Sequence, residues 1–236
     1  GVDKIWTDVF GGEERPAYGA RSRLEIARRT WDAGAGGRVR GEGGSITPRQ
    51  PATGPIGMRI VVTDLFFATP ARRKFLKSAR VEGGHAESVM RRLALCAPHC
   101  AMRVTLDDKT LFDLPAQSPI ARAASILDVT PDTLIPLDEQ RGAVRLSGFA
   151  CGPARTRATG SGQFILVNNR PVTDPVLRTA IRVAYRPVIE RGRFPVMALH
   201  LNVPLERLDV NVHPAKTELR FADENDIKSL VIGGLG

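Results

Sequence analysis

Asp209-Val210-Asn211-Val212-His213-Pro214-Ala215-Lys216-Thr217-Glu218-Leu219-Arg220-Phe221 is the stretch whose reading decides the fold. Apolar and polar residues alternate from Leu208 to Val212, the period of a strand, and Pro214 ends it because proline offers the ladder no N–H. A second strand begins at once with Leu219 and Phe221 inward and Arg220 outward. Lys216 is thereby predicted on a short connection whose direction is fixed at both ends, from which an ammonium can reach an anion outside its own domain. The competing reading is a solvated turn lysine, the usual fate of charged turn residues.

Working back from this hairpin, strands are predicted at 143–150 and 163–168, with Asp174-Pro175 opening a capped helix between the second of these and a strand at 196–203. On that helix Leu177, Ala180, Ile181 and Ala184 form an apolar stripe, while Arg178, Arg182 and Arg186 repeat every fourth residue on another face. The strand at 196–203 returns parallel to its predecessor, a right-handed strand-helix-strand crossover. Asn168-Asn169 before Arg170-Pro171 reads as a turn, and a last helix starts near Asp223.

Further upstream the sequence offers a strand from Arg23 to Arg29, a glycine-rich surface excursion through 34–57, and a strand at 59–65. Thr69 caps a helix with Pro70 in its first turn and a basic cluster of Arg72, Arg73, Lys74 and Lys77. A helix from His85 carries Val89, Leu93, Ala94 and Ala97 on one face until Pro98 ends it. Strands at 102–106 and 110–114 make a hairpin across Asp107-Asp108-Lys109. Ser118-Pro119 opens a short helix to Leu127, and the segment from Pro131 to Pro136 is punctuated by its prolines. A domain boundary is expected near 115.

The 236 residues carry a formal net charge of +9 in which arginine is prominent. Guanidinium forks match phosphate oxygens, so the charge points to phosphate partners, although a ribosomal protein or basic chaperone would share it. No membrane-spanning apolar run and no signal peptide are legible, and a soluble, cytoplasmic chain is expected. Three cysteines, Cys96, Cys100 and Cys151, are too few and too oddly spaced for a disulfide framework. Cys96, His99 and Cys100 lack a fourth zinc ligand at suitable spacing, so no metal site is expected and the thiols are read as buried. Neither a Walker-type loop nor a dinucleotide glycine fingerprint is present.

Three blocks carry a family resemblance. The opening stretch resembles the N-V-H-P-x-K-x-E-[VL]-R-F signature of MutL-type DNA mismatch repair proteins. Asp64-Leu65-Phe66-Phe67-Ala68-Thr69-Pro70-Ala71-Arg72-Arg73-Lys74-Phe75-Leu76 resembles that family's D-L-F-x-x-T-P-A-R-x-K-F-L, and Gln163-Phe164-Ile165-Leu166-Val167-Asn168-Asn169-Arg170-Pro171-Val172 its Q-x-x-[FL]-V-N-x-R-x-V strand. The resemblance covers roughly Ser22 to the last residue.

It implies an α+β chain: the back part of a GHKL-type ATPase sandwich in residues 1–115, then a ribosomal-S5-domain-2-like transducer and DNA-binding domain in 116–236. Residues 1–20 look like a degraded ATP lid keeping Gly12 and Glu13. By the same resemblance Lys216 contacts the γ-phosphate of ATP, held with Mg2+ in the intact family, and Thr69 and Arg72 support the ATPase motif. Thr69 and Pro70 themselves read more readily as capping residues than as ligands. The family's helix-borne Glu and Asn and its D-x-G-x-G motif are absent from these residues, so this chain alone is expected to hydrolyse no ATP. Arg170, Arg178, Arg182 and Arg186, with Arg155, Arg157, Arg191 and Arg193 in the same region, are expected to bind DNA without sequence preference. The intact family implies a homodimer that links a MutS-type mismatch recognition protein to excision, with no membrane partner. Two competing readings are a type II topoisomerase B-subunit module, for which a Q-T-K-type lysine loop is missing, and a plain RNA-binding S5-like module.

Overall fold

The computed structural model describes residues 22–31, 34–209 and 219–236. Gly12, Glu13 and Lys216 therefore lie outside the described residues. Packing divides the chain into two compact units, 1–79 and 80–236. The division precedes residue 115, and residues 80–115 share the second unit's core.

In the first unit an antiparallel sheet runs β3-β2-β1-β5, with β4 also on β2: β1 Arg23–Arg29, β2 Gly36–Glu42, β3 Ser45–Ile46, β4 Gln50–Ala52 and β5 Gly57–Thr63. The glycine-rich excursion folds as a hairpin, and its strands also join the sheet on β1. Gly36, Gly37 and Gly41 are buried strand residues there, and Val39 joins Leu24 and Ile26 in a small core. A four-residue helix, α1 Pro70–Arg73, closes the unit.

In the second unit a five-stranded sheet has the order β12-β11-β14-β9-β8. Its strands are β8 Leu134–Arg141, β9 Val144–Cys151, β11 Gln163–Val167, β12 Arg170–Pro171 and β14 Met197–Asn202; the two-residue strands β10 Thr156–Arg157 and β13 Phe194–Pro195 pair beside it. Only the β11–β14 pair is parallel, joined by α4 Pro175–Tyr185 as the crossover predicted. Strand alternation sends successive side chains to opposite faces and so makes two cores. Ile165, Val167, Met197, Leu199 and Leu201 pack against α4 and α5 Glu224–Leu235. Phe164, Leu166 and Ala198 pack instead against α2 Ala79–Cys96, α3 Pro119–Leu127 and the hairpin β6 Met102–Leu106 with β7 Lys109–Leu114.

Two glycines make close approaches possible. A methyl group on Gly83 of α2 would lie 2.4 Å from Leu106 Cδ2, so Gly83 lets the hairpin side chain seat on α2 in its present rotamer. On β9, Gly148 takes φ +137° and a Cβ there would meet the Ala198 carbonyl oxygen at 2.2 Å. The hairpin turn Asp107-Asp108 has φ +47° and +61°, the pair of left-handed residues a two-residue turn needs.

Three further expectations change. The proline-punctuated segment becomes a short 3-10 turn, Pro131–Thr133, followed by the strand β8, which is unexpected there; it is an edge strand, where Pro136 is tolerated. Helix α2 starts six residues before His85, and its buried face is Gly83, Ala94 and Leu95, whereas Val89 and Leu93 are exposed. The side chains meeting the sheet are those that share its turn with Ala94, a register the one-face pattern did not resolve. Cys100 is exposed, while Cys151 is buried and Cys96 half-buried; burial pushes both of the latter thiols up.

Candidate nucleic-acid interface

Helix α4 is built as its sequence demands. Asp174 caps it by accepting from Leu177 N–H at 3.0 Å, Pro175 occupies its first turn, and Leu177, Ala180, Ile181 and Ala184 are all buried on the sheet. The opposite face is left to Arg178 and Arg182, both exposed, with exposed Arg186 immediately past the last turn. Arg170 is exposed on β12, at the sheet edge from which the chain enters α4.

A residue outside the expected set completes this patch. Arg92 of α2 is half-buried, its guanidinium contacting Thr173 Oγ1 at 3.4 Å. Burial, and after it the positive charge of Arg178, holds its pKa below the ordinary arginine value. Two guanidinium groups from different helices are therefore held near each other. Among the described residues none of Arg92, Arg170, Arg178, Arg182 and Arg186 forms an ion pair with a carboxylate. Uncompensated like charges on a fixed scaffold cost energy unless an anion answers them. Cys96 helps to fix the geometry, its thiol facing the Asn169 carbonyl at 3.2 Å.

The other arginines of the region divide differently. Arg157 donates to the Leu127 carbonyl and Arg193 to both oxygens of Thr156, so these two brace local backbone. Arg155 and Arg191 are exposed.

The turn before β12 is held by its first residue. Asn168 and Asn169 take φ +48° and +60°, and the Asn168 amide brackets Val203, donating to its carbonyl at 2.8 Å and accepting from its N–H at 2.9 Å. This ties the basic edge to the end of β14.

Lys216 itself is not described, but the residues on both sides of its segment are. Strands β15 Leu208–Asp209 and β16 Arg220–Phe221 pair antiparallel, as the alternation predicts, with Leu219 and Phe221 buried and Arg220 exposed. Ala222 N–H donates to the Arg207 carbonyl at 3.0 Å. The Arg207 side chain reaches Asp226 at 3.4 Å and Asp223 at 3.9 Å, at the start of α5. Strand pair, backbone bond and ion pairs thus close one root.

In the first unit the loop before α1 is conformationally strained: Asp64 and Phe66 have φ +51° and +62°. Asp64 is bonded to Arg23 at 2.8 Å, and that guanidinium lies 5.1 Å from the Phe67 ring centre. Thr69 precedes α1 but makes no capping bond; its Oγ1 is buried and, among the described residues, has no hydrogen-bond partner. That corrects the capping reading and leaves a hydroxyl whose donor and acceptor capacity suits a phosphate oxygen or a water on one. Arg72 is exposed. Among the described residues no helix is long and apolar enough to cross a membrane.

Comparison with known proteins bears on the family and the fold. Residues 124–236 match the family model described as DNA mismatch repair protein, C-terminal domain. A relative named DNA mismatch repair protein MutL, from Acidiphilium cryptum, is 44% identical over 233 residues, which is 98% of this chain and 40% of that protein. The chain thus spans about two fifths of that relative's length. The solved ATPase domain of Aquifex aeolicus MutL complexed with ADP superposes with a TM-score of 0.65 at 18% identity, covering 98% of this chain and 78% of that one. The gyrase B subunit of Myxococcus xanthus reaches a TM-score of only 0.51 at 15% identity, covering 91% and 66%. The fold is that of the GHKL-type ATPase and its companion domain.

Proposed function

The chain belongs to the MutL family of DNA mismatch repair proteins, and from that premise we propose that it supplies the duplex-binding surface and the phosphate-contacting lysine of an ATP-dependent repair clamp. The observation that carries the reading is the unpaired arginine patch of Arg92, Arg170, Arg178 and Arg182. The sequence carries no signature of base-specific readout, and in this reading the arginines grip phosphates without sequence preference. Arg186 extends the row.

Lys216 is assigned to the γ-phosphate, where a compact ammonium offsets charge that moves during phosphoryl transfer. Thr69, whose hydroxyl has no partner among the described residues, and Arg72 are assigned to the support of the ATPase motif. ATP with Mg2+ would supply phosphoryl-transfer chemistry in the intact protein. Residue 115, just past the hairpin and before the Ser118 cap, is kept as the proposed division between the ATPase-type and S5-like portions. Homodimerisation and a MutS-type partner belong to the whole protein in this reading.

Binding of a labelled duplex to the 236-residue chain, followed by anisotropy across a salt series, tests it. Each phosphate contact adds about 0.9 to the log-log salt slope, so a slope near about 3 or steeper is expected. Affinity that ignores salt, or a preference for structured RNA over duplex, would contradict the proposal. The same chain is expected to release no phosphate from ATP above background, because the family's base and metal-ligand motifs are absent from its sequence. Steady-state release that Lys216→Ala abolishes would overturn that expectation.

A further inference from the structure

The first unit carries a basic face of its own. In antiparallel register Ala27 of β1 stands directly opposite Arg38 of β2 on one side and Arg59 of β5 on the other, and Gln50 of β4 extends the row beyond Arg38. Directly paired residues share a face, so a small methyl lies between two arginines set two strand spacings, roughly 10 Å, apart. Ala27 is only half-buried and Arg59 is exposed, which leaves open space above the methyl. Leu24, Ile26 and Val39 take the opposite face, and their packing fixes which way the row looks.

Most of the charge on this face is answered. Arg40 pairs with Glu25 at 2.7 Å, and Arg23 with Glu42 at 2.9 Å and Asp64 at 2.8 Å. Arg29 donates to the Gly54 carbonyl at 3.1 Å. Arg38 and Arg59 are left over: among the described residues neither has a carboxylate at ion-pair distance. Arg38 makes one long bond, to Gln50 Oε1 at 3.5 Å, and its Nε is buried with no hydrogen-bond partner among the described residues. Such an orphaned donor marks a place that a water or an anion completes. Glu25 does not cancel the pair. The bond from Arg40 holds its pKa down, burial opposes this, and the charges of Arg40, Arg38 and Arg59 add to the lowering. Three guanidinium groups thus answer one carboxylate, and two positive charges stay in surplus.

We propose that Arg38 and Arg59, on either side of Ala27, form a second contact for the phosphate backbone of duplex DNA, carried by the first unit. Guanidinium forks flanking a methyl can grip the oxygens of a phosphate above it, and the charge left over on the face favours an anionic partner. The neighbours of the row, Gln50, Val61 and Thr63, include no aromatic ring on which an unstacked base could lie, so the partner is a duplex and not a single strand. The inference goes beyond the reading of the α4 arginines and does not depend on it.

The test uses the 236-residue chain with Arg178→Gln and Arg182→Gln already in place, so that α4 contributes little. Anisotropy of a labelled duplex of about 20 base pairs is followed across a salt series, with a single strand of equal length in parallel. Adding Arg38→Gln and Arg59→Gln weakens duplex binding by about tenfold near 50 mM salt and lowers the log-log salt slope by about 1.8, while the single strand loses less than about threefold. Arg38→Lys with Arg59→Lys keeps both charges; it retains the slope and stays within about threefold in affinity. Arg59→Gln alone, at an exposed position, serves if the double variant does not fold, and lowers the slope by about 0.9. Affinity and slope that ignore these substitutions overturn the inference, whether or not α4 binds DNA. Equal losses for duplex and single strand overturn the duplex assignment. A tenfold loss from Arg38 and Arg59 beside no loss from Arg178 and Arg182 overturns the α4 reading and leaves this one standing.

Discussion

Arg122→Met is expected to lower the stability of the second unit by about 4 kcal/mol, the range in which buried polar networks fail. Arg122 is fully buried on α3 and no carboxylate answers it among the described residues. Its Nε donates to Gln117 Oε1 at 2.9 Å, and Nη1 to the carbonyls of Ala94 and Ala97 at 2.9 and 3.2 Å. Nη2 donates to the carbonyls of Pro98, Cys100 and Pro115 at 3.0, 2.8 and 2.8 Å. The first of these carbonyls close α2, so the guanidinium sits in the negative end of that helix and fastens it to α3 and to the end of β7. Methionine would fill much of the volume and withdraw the guanidinium from five carbonyls, of which those of Ala94, Ala97 and Pro98 keep a backbone N–H partner while those of Cys100 and Pro115 lose the donor that Arg122 supplies. Lysine keeps the charge but has a single nitrogen for acceptors spread around a fork, so Arg122→Lys should recover less than about half of the loss. Urea unfolding reads this as a lower midpoint at unchanged slope. A loss below about 1 kcal/mol for Arg122→Met would mean that these carbonyls find water, and that the residue is not the fastening described.

Reversing Arg178 and Arg182 together to glutamate should weaken duplex binding by about a hundredfold near 50 mM salt, where phosphate contacts dominate. Neutralisation to glutamine should cost about tenfold, and in either case the log-log salt slope should fall by about 1.8, two contacts' worth. Folding should be nearly untouched, within about 0.5 kcal/mol, because both side chains are exposed and make no ion pair, and removal of the Arg178 charge relieves Arg92. Arg103→Gln is the control: that arginine is equally exposed but is satisfied by Asp113, and its loss should leave affinity alone. An effect of the double reversal no larger than about twofold would remove α4 from the DNA-facing surface.

How much of the molecule is legible in its sequence depends on how local each signal is. Helix α4 is legible to its cap because Asp174, Pro175 and the stripe of four apolar residues all lie within one short run. The two-residue hairpin turn at Asp107-Asp108 and the alternation around Leu219 and Phe221 are legible for the same reason. Arg92 is not, since its meaning comes from Arg178, a residue far away in sequence on another helix. Arg122 reads as a polar interruption of an apolar helix, and only the convergence of carbonyls from residues 94 to 115 shows why an arginine is there. Strand β8 is not legible because Pro136 stands inside it, and composition carries no information on whether a strand lies at an edge.

The proline at position 136 has one more effect. It stands on the outermost strand of the five-stranded sheet, paired inward to Phe149, so the amide that would have faced outward does not exist. The opposite margin is the two-residue strand β12, too short to template another chain. Both borders of the sheet are therefore poor seeds for accretion of a second copy.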